Sequence, residues 1–338
     1  MNQTYRVAVI GCGGRGREHV KGLMADPRVR IVGLADLNAE AAAKLRDDFG
    51  LDAPVYPDHQ ALLAAQAPEV VVTALITPLH LPVFAACAAA GARAVLCEKP
   101  MAPTWGACRQ MAAIAQETGC QLTFSHQRRF AAGNLLARKM IADGLFGEIR
   151  RLDLYSPPNL LDCGTHTLDQ AFSFLGETPV KWALGAVDTT KVLNWFNVRS
   201  EATAVGTLVY ANGARAAVQC GGPDMDLWGG VRVMGEKGFL EVFWDGQYRE
   251  GRIYARPKWR PETPEGTEQG HMEGMVRHVL DCLERGAEPD CAWPKALRAA
   301  EVIFALYESV RRRARVELPL EDIDDNPLHA LLDADGAD

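Results

Sequence analysis

The stretch Tyr5-Arg6-Val7-Ala8-Val9-Ile10-Gly11-Cys12-Gly13-Gly14-Arg15-Gly16-Arg17-Glu18-His19-Val20 decides the fold. Its first six residues read as a buried strand, its glycines as a tight turn and its end as the start of a helix. A second apolar run, Val29 to Ala35, closes on Asp36. Strand, glycine turn, helix, strand and acid is the layout of a dinucleotide-binding unit. Gly11 permits the turn. Gly13, with Gly14 beside it, lets backbone N–H groups approach a pyrophosphate, and Gly16 lets the helix lie against the strand. The helix N-terminus adds unpaired donors and a positive dipole end. Arg15 is placed either to contact the pyrophosphate or to face solvent. Asp36 can accept from both ribose hydroxyls and would repel a 2′-phosphate, so NAD is expected over NADP. Cys12 reads as a small filler in the loop.

Working outward, Ala39 to Phe49 and Asp58 to Ala65 read as helices, Glu69 to Thr73 as a strand, and Leu81 to Ala90 as a helix stopped by Gly91. Ala92 to Cys97 is a strand, Thr104 caps a helix to Thr118, and Gln121 to Ser125 closes the series. Strands alternating with helices of this length imply a parallel, doubly wound sheet. After about residue 125 the pattern changes. Helices over 131–142 and 162–175 flank a strand over 148–155, and Trp- and Val-rich strands follow over 180–187, 202–210, 214–220, 230–234 and 238–244. Asn212-Gly213 joins two of them as a hairpin. Two late helices span 272–284 and 294–313, and the tail after Leu320 reads as acidic and loose. The expected fold is α/β: a Rossmann domain over 1–125, then an α+β domain over 126–338 with a large open, mostly antiparallel sheet. The helix 294–313 is expected to pack back near the first domain.

The 338 residues suffice for two domains. A hydrophobic content of 48% and a charged content of 23% fit an ordinary globular chain, and a net charge of −7 argues against nucleic-acid or anionic-membrane surfaces. No apolar run reaches membrane-span length, and a strand begins almost at once where a signal peptide would stand. The nine cysteines are scattered, with no Cys-x-x-Cys pair, so reduced thiols, a cytoplasmic location and no metal are expected.

Ligands of open α/β sheets lie at the carboxyl ends of the strands. Two such ends are chemically unusual. One carries Thr77-Pro78-Leu79-His80, the other Glu98-Lys99-Pro100. Lys99 is placed to donate to a substrate hydroxyl or alkoxide, against the plainer alternative of a surface lysine before a turn. Pro100 is open to a cis bond. A third site is Asp162-Cys163-Gly164-Thr165-His166-Thr167-Leu168-Asp169. Asp162 and His166 are four apart, on one face of a helix start. A carboxylate beside an imidazole suits a general base, while a cap or a satisfied core histidine is the plainer alternative. His126, ending a strand, and Arg129 are candidate substrate contacts, with one of the pair Arg128-Arg129 expected to be a solvated loop cap. Trp182, Trp195, Trp228 and Trp244 are expected to fill the sheet face or a subunit contact.

Together these motifs, with Gln127-Arg128-Arg129-Phe130 and Tyr307-Glu308-Ser309, resemble the family of glucose–fructose oxidoreductase, inositol dehydrogenase and the rhizopine-catabolism protein. The resemblance implies hydride transfer between a nicotinamide and one carbinol or carbonyl carbon of a sugar, cyclitol or related polyol. It implies Lys99 as the active-site lysine, Asp162 as the carboxylate and His166 as the catalytic base. Gly11, Gly13, Gly14, Arg15, Gly16, Asp36, Thr77, Pro78, His80, Glu98 and Lys99 would line the cofactor. Lys99, His126, Arg129, Asp162 and His166 would line the substrate. A homodimer or homotetramer through the open sheet is implied as well. Two other outcomes stay open: an NAD-retaining enzyme that uses transient oxidation for elimination or glycoside cleavage, and a nucleotide-sensing regulator without turnover. The chain departs from the family in its short Ser156–Leu161 segment, in Leu79 where Asn is frequent and in Pro82 where His is frequent. The short segment puts substrate size in question.

Overall fold

The computed structural model describes residues 4–222, 227–267 and 270–335. They form two compact units. The first comprises Met1–Ala102, Ala107–Gln127 and Met272–Pro294; the second comprises Pro103–Gly106, Arg128–His271 and Lys295–Asp338.

Unit 1 begins with β1 (Tyr5–Ile10), α1 (Gly14–Met24), β2 (Val29–Ala35), α2 (Ala39–Phe49) and β3 (Val55–Tyr56). It continues with α3 (His59–Gln66), β4 (Val70–Thr73), α4 (His80–Ala89), β5 (Ala94–Cys97), α5 (Trp105–Thr118) and β6 (Gln121–Phe124), the first two residues of α5 falling in unit 2. The strands form one parallel sheet in the order β3-β2-β1-β4-β5-β6. The central strands are buried on both faces, and their Val-rich runs follow from that burial. Local chemistry sets the ends of the helices. Asn38 Oδ1 accepts from the amides of Glu40 and Ala41 at the start of α2, and Gly50 closes it at φ +60°.

The chain goes on through α6 (Ala132–Ala142), β7 (Ile149–Ser156), a π-helical turn (Leu160–Gly164), α7 (Thr165–Phe174) and β8 (Val180–Asp188). The short pair β9 (Leu193–Trp195) and β10 (Val198–Ser200) precedes β11 (Thr203–Tyr210), β12 (Arg215–Gly221), β13 (Gly230–Gly235), β14 (Gly238–Phe243) and β15 (Tyr248–Ile253). Then come α8 (His271–Arg285), α9 (Trp293–Arg312), β16 (Val316–Glu317) and α10 (Pro327–Asp335). The second sheet runs β15-β14-β13-β7-β12-β11-β8-β16. Every pairing in it is antiparallel except β7 with β12. As expected, Asn212-Gly213 turns β11 into β12.

Three expectations need correction. The second domain, expected to run unbroken over 126–338, gives up Met272–Pro294, which clusters with unit 1, while α9 from Lys295 on belongs to unit 2. The apolar stripe of α8 (Met272, Met275, Val276, Val279, Leu280) is buried, and a side chain at Gly22 of α1 would meet Met272 Cγ at 2.7 Å. Arg28 reaches α8 by an ion pair to Asp281 at 2.8 Å. By contrast, α9 turns Ser309 Oγ to the Gly185 amide of β8 at 2.7 Å. The tail is also not loose: α10 buries Leu328 and Leu332. Residues 336–338 lie outside the described set. Finally, the helix expected over 162–175 begins two residues earlier, as the π turn.

Candidate active site

In unit 1, the order of the strands reverses between β1 and β4, and the carboxyl ends of these strands are bonded side by side: the Ala74 amide donates to the Ile10 carbonyl at 2.8 Å. Ligand crevices of open α/β sheets form at such points. Gly11 stands at φ +93°, and a Cβ there would lie 2.3 Å from the Ala74 carbonyl oxygen. A Cβ on Gly16 would lie 2.2 Å from the Gly11 carbonyl oxygen, so only glycine lets α1 approach the loop this closely. Gly13 and Gly14 have nothing within 4 Å where a Cβ would stand. Gly13 is the N-cap of α1 and offers no side chain to the first amides. Bare backbone donors at a helix start, beside open space, fit a pyrophosphate. Asp36 is fixed at the end of β2: Oδ2 accepts from the Cys12 amide at 2.7 Å and Oδ1 from the Asn38 amide at 2.8 Å. A carboxylate has about four acceptor positions, so both oxygens keep capacity for ribose hydroxyls. The residues therefore fit a dinucleotide. Burial, with the charge of Asp36, pushes the Cys12 thiol up to about 12, which leaves it inert.

The Glu98-Lys99-Pro100 turn is tied to the same edge. The Glu98 amide donates to the Thr73 carbonyl at 3.0 Å, and the Lys99–Pro100 bond is cis. Glu98 is buried. Its Oε1 accepts from Arg15 Nε and Nη2 at 2.9 and 2.8 Å and pairs with His19 Nε2 at 2.8 Å. Burial alone would raise its pKa. The His19 hydrogen bond and the charges of His19, Arg15 and Lys99 overcome that and hold the carboxyl well below its usual range. Arg15, expected at the pyrophosphate or in solvent, is thus engaged by Glu98 while its side chain stays 44% exposed. Lys99 is half-buried.

Thr77–Leu79 forms a 3₁₀ turn, with Thr77 buried and Pro78 exposed. His80 follows at the start of α4 and is almost fully buried. Its Nδ1 lies 2.9 Å from the Pro100 oxygen and 3.3 Å from that of Met101, and its Nε2 lies 3.1 Å from the Leu75 oxygen. Burial lowers its pKa more than these carbonyls and Glu98 raise it. The neutral ring has a single N–H, so it donates to a carbonyl of one loop while packed between both. His126 is buried at the end of β6.

In unit 2, Asn159 Oδ1 caps the π turn, accepting from the amides of Asp162 and Cys163 at 2.9 and 3.4 Å. Asp162 and His166 are 9% and 4% exposed. Asp162 Oδ2 accepts from the Trp195 indole N–H at 2.9 Å and from Cys163 Sγ at 3.2 Å. The His166 ring lies 6.1 Å from the Trp244 ring, centroid to centroid. Trp244 is pinned by its indole N–H to Thr167 Oγ1 at 2.8 Å, and the Arg128 guanidinium lies over it at 4.4 Å. Glu201, fully buried, accepts from the Leu160 amide at 2.7 Å, from Ser200 Oγ at 2.8 Å and from Tyr307 Oη at 2.8 Å. Burial raises its pKa against these donors. Arg129, a candidate substrate contact, is instead buried in an ion pair with Asp169 at 2.7 Å and with Glu177 at 2.6 Å. A desolvated guanidinium needs such partners, so its donors are already engaged inside the unit.

Unit 1 thus assembles the glycine turn, Asp36, Thr77, His80 and Glu98-Lys99. Unit 2 assembles Asp162 and His166. Three residues were missed by sequence reasoning. His19 had a signal, since it lies four positions after Arg15 on one helix face. Trp195, expected in the sheet face or a subunit contact, sits on a hairpin with no alternation to mark it. Glu201 had no signal, because its partners are 41 and 106 residues away.

Two family models match the chain. The model described as oxidoreductase family, NAD-binding Rossmann fold, matches residues 5–126, and that described as oxidoreductase family, C-terminal alpha/beta domain, matches 156–318. The chain is 26% identical to D-apiose dehydrogenase of Paraburkholderia graminis, over 94% of this chain and 90% of that one. It is 28% identical to inositol 2-dehydrogenase/D-chiro-inositol 3-dehydrogenase of Shouchella clausii, over 57% of this chain and 53% of that one. In fold it resembles the WlbA dehydrogenase of Bordetella pertussis, solved with NADH and UDP-GlcNAcA. The TM-score is 0.78 at 22% identity, covering 95% of this chain and 99% of that one. Among the described residues no helix is long and apolar enough to cross a membrane.

Proposed function

Because this chain belongs to the oxidoreductase family of glucose–fructose oxidoreductase, inositol dehydrogenase and the rhizopine-catabolism protein, a family of NAD(P)-dependent sugar and cyclitol dehydrogenases, we propose that it oxidises one ring hydroxyl of a sugar or cyclitol with NAD. The observation that carries this reading is the bare glycine cradle with a fixed Asp36 in unit 1; within unit 2, Asp162 and His166 are buried on one helix start.

Gly11, Gly13, Gly14 and Gly16 hold the pyrophosphate by backbone donors, and Asp36 holds the ribose hydroxyls. This carboxylate selects NAD over NADP, since a 2′-phosphate would meet its charge. Thr77, Pro78 and the Glu98-Lys99 turn border the nicotinamide end. When bound, NAD supplies the hydride acceptor. His166 takes the proton of the reacting hydroxyl on its imidazole nitrogen. Lys99 is the donor offered by unit 1 to an oxygen on which negative charge grows, an interaction strengthened where water is excluded. Asp162 accepts from a substrate hydroxyl and so orients the ring. The protein acts without metal, in the cytoplasm, as a homodimer or homotetramer. Leu184 and Val205, exposed on one face of the β8–β11 pair, support that assembly.

The test mixes the protein with NAD and D-apiose, myo-inositol or methyl β-D-glucoside and follows reduced-nicotinamide absorbance. Turnover is expected with at least one. His166→Ala should lower kcat by about 10²–10⁴-fold with NAD affinity intact. Unchanged turnover in that variant removes His166 from the mechanism. NAD reduction that stops at one equivalent would favour the NAD-retaining alternative, and binding without reduction the regulator.

A further inference from the structure

We propose that Trp195 is the specificity-determining wall of the sugar site: its indole N–H aligns the Asp162 carboxylate, and its exposed ring face takes the C–H face of a ring-form sugar. The inference rests on the dehydrogenase reading and adds to it the shape of the substrate. The chain between β7 and the π turn is short, so it offers little wall of its own. The β9–β10 hairpin reaches the same carboxylate from 33 residues away in sequence. Asp162 is 9% exposed, yet the tryptophan that bonds it is 36% exposed. One edge of the indole is therefore committed to the site while part of the residue still faces solvent. A tryptophan held by its N–H and partly open to solvent is the amphipathic arrangement that suits a polyol with one apolar side.

The hairpin is built to hold this position. Trp195 pairs with Val198, leaving Phe196 and Asn197 as the two-residue turn at φ +48° and +61°. Left-handed backbone suits Asn but is unfavourable for a bulky Phe, and such strained residues gather at functional sites. Phe196 is 58% exposed and meets Trp195 edge-on at 5.6 Å. At the root, Ser200 and Glu201 close the frame. Glu201 accepts from the Leu160 amide that begins the Asp162 turn, from Ser200 and from Tyr307 of α9. The hairpin and the Asp162 turn are thus joined at both the tip and the base. A fixed Trp195 follows from that frame.

The experiment compares wild type, Trp195→Ala and Trp195→Phe in the full chain, with NAD and D-apiose, myo-inositol and methyl β-D-glucoside as probes. Trp195→Ala should raise KM for the accepted sugar about tenfold, the loss of an aromatic contact. The KM for NAD should stay within about twofold, since unit 1 alone carries the dinucleotide donors. Trp195→Phe keeps a ring and loses the N–H. It should hold KM within about threefold and lower kcat about three- to tenfold, because Asp162 loses a charge-assisted donor. This split between KM and kcat is not expected of a residue that merely fills space. If Trp195→Ala leaves the sugar KM within about twofold, or if it changes only the sedimentation of the assembly, the ring is a subunit contact and the proposal is overturned while the dehydrogenase reading stands. A wild type that reduces NAD with none of the three sugars overturns both.

Discussion

Replacing Glu98 by alanine is expected to destabilise the protein by about 1.5–4 kcal/mol, and the structure shows where that figure arises. One carboxylate oxygen gathers two donors from Arg15 and one from His19. The two partners differ in access to water. Arg15 has a side chain 44% exposed, so on release it is rehydrated and its share falls to that of a surface pair, about 0–1 kcal/mol. His19 is 0% exposed and has no such recourse. It forfeits a charged hydrogen bond inside the fold, about 1.5–3 kcal/mol. The pH dependence follows from the direction of the shift. The folded carboxyl titrates below its unfolded value, so the wild-type advantage is full above the ordinary glutamate range, starts to shrink as pH drops below it and is gone only once pH falls through the lower folded value. Urea unfolding of wild type and Glu98→Ala, followed by circular dichroism, measures the gap directly. It should be at its full value at about pH 7 and should narrow toward about pH 3.5. A gap under about 1 kcal/mol at neutral pH, or one that widens on acidification, would refute the reasoning.

Two further outcomes are expected. Asp36→Ser should weaken NAD and narrow its advantage over NADP, read from apparent KM for both cofactors; a wild type that already prefers NADP contradicts the role given to Asp36. His80 is held neutral by burial, with its pKa lowered, so unfolded chains take up a proton below about pH 6.5 that the folded ring resists. Its contribution is present above that pH and is lost as pH falls. Scanning calorimetry from about pH 7 to 5 should show a steeper fall in Tm for wild type than for His80→Gln, and parallel slopes would remove His80 as the source.

Much of the candidate site is legible in the sequence alone. Gly11, Gly16 and Asp36 declare themselves because a turn, a close approach and a strand end each demand one residue type over a few positions of chain. Glu98-Lys99-Pro100 and the Asp162–Asp169 run were legible for the same reason. Arg15 and Arg129 show the limit. Their residue type advertises a ligand contact, but Glu98 and Asp169, 83 and 40 residues away, take up their donors. Nothing local distinguishes an arginine that meets a phosphate from one that meets a carboxylate.

The sequence by itself determined the parallel sheet, the glycine turn, the acid after β2 and the presence of a second, mostly antiparallel sheet. Each depends on periodicity or on neighbours within one turn. Only the tertiary structure decided that α8 completes unit 1, that Trp195 reaches Asp162, and that Glu201 and Tyr307 brace the turn carrying it. These depend on burial and on partners brought together from distant parts of the chain. A buried carboxylate or indole N–H must be satisfied by whatever donor or acceptor the fold delivers, and one-dimensional spacing carries no record of that choice.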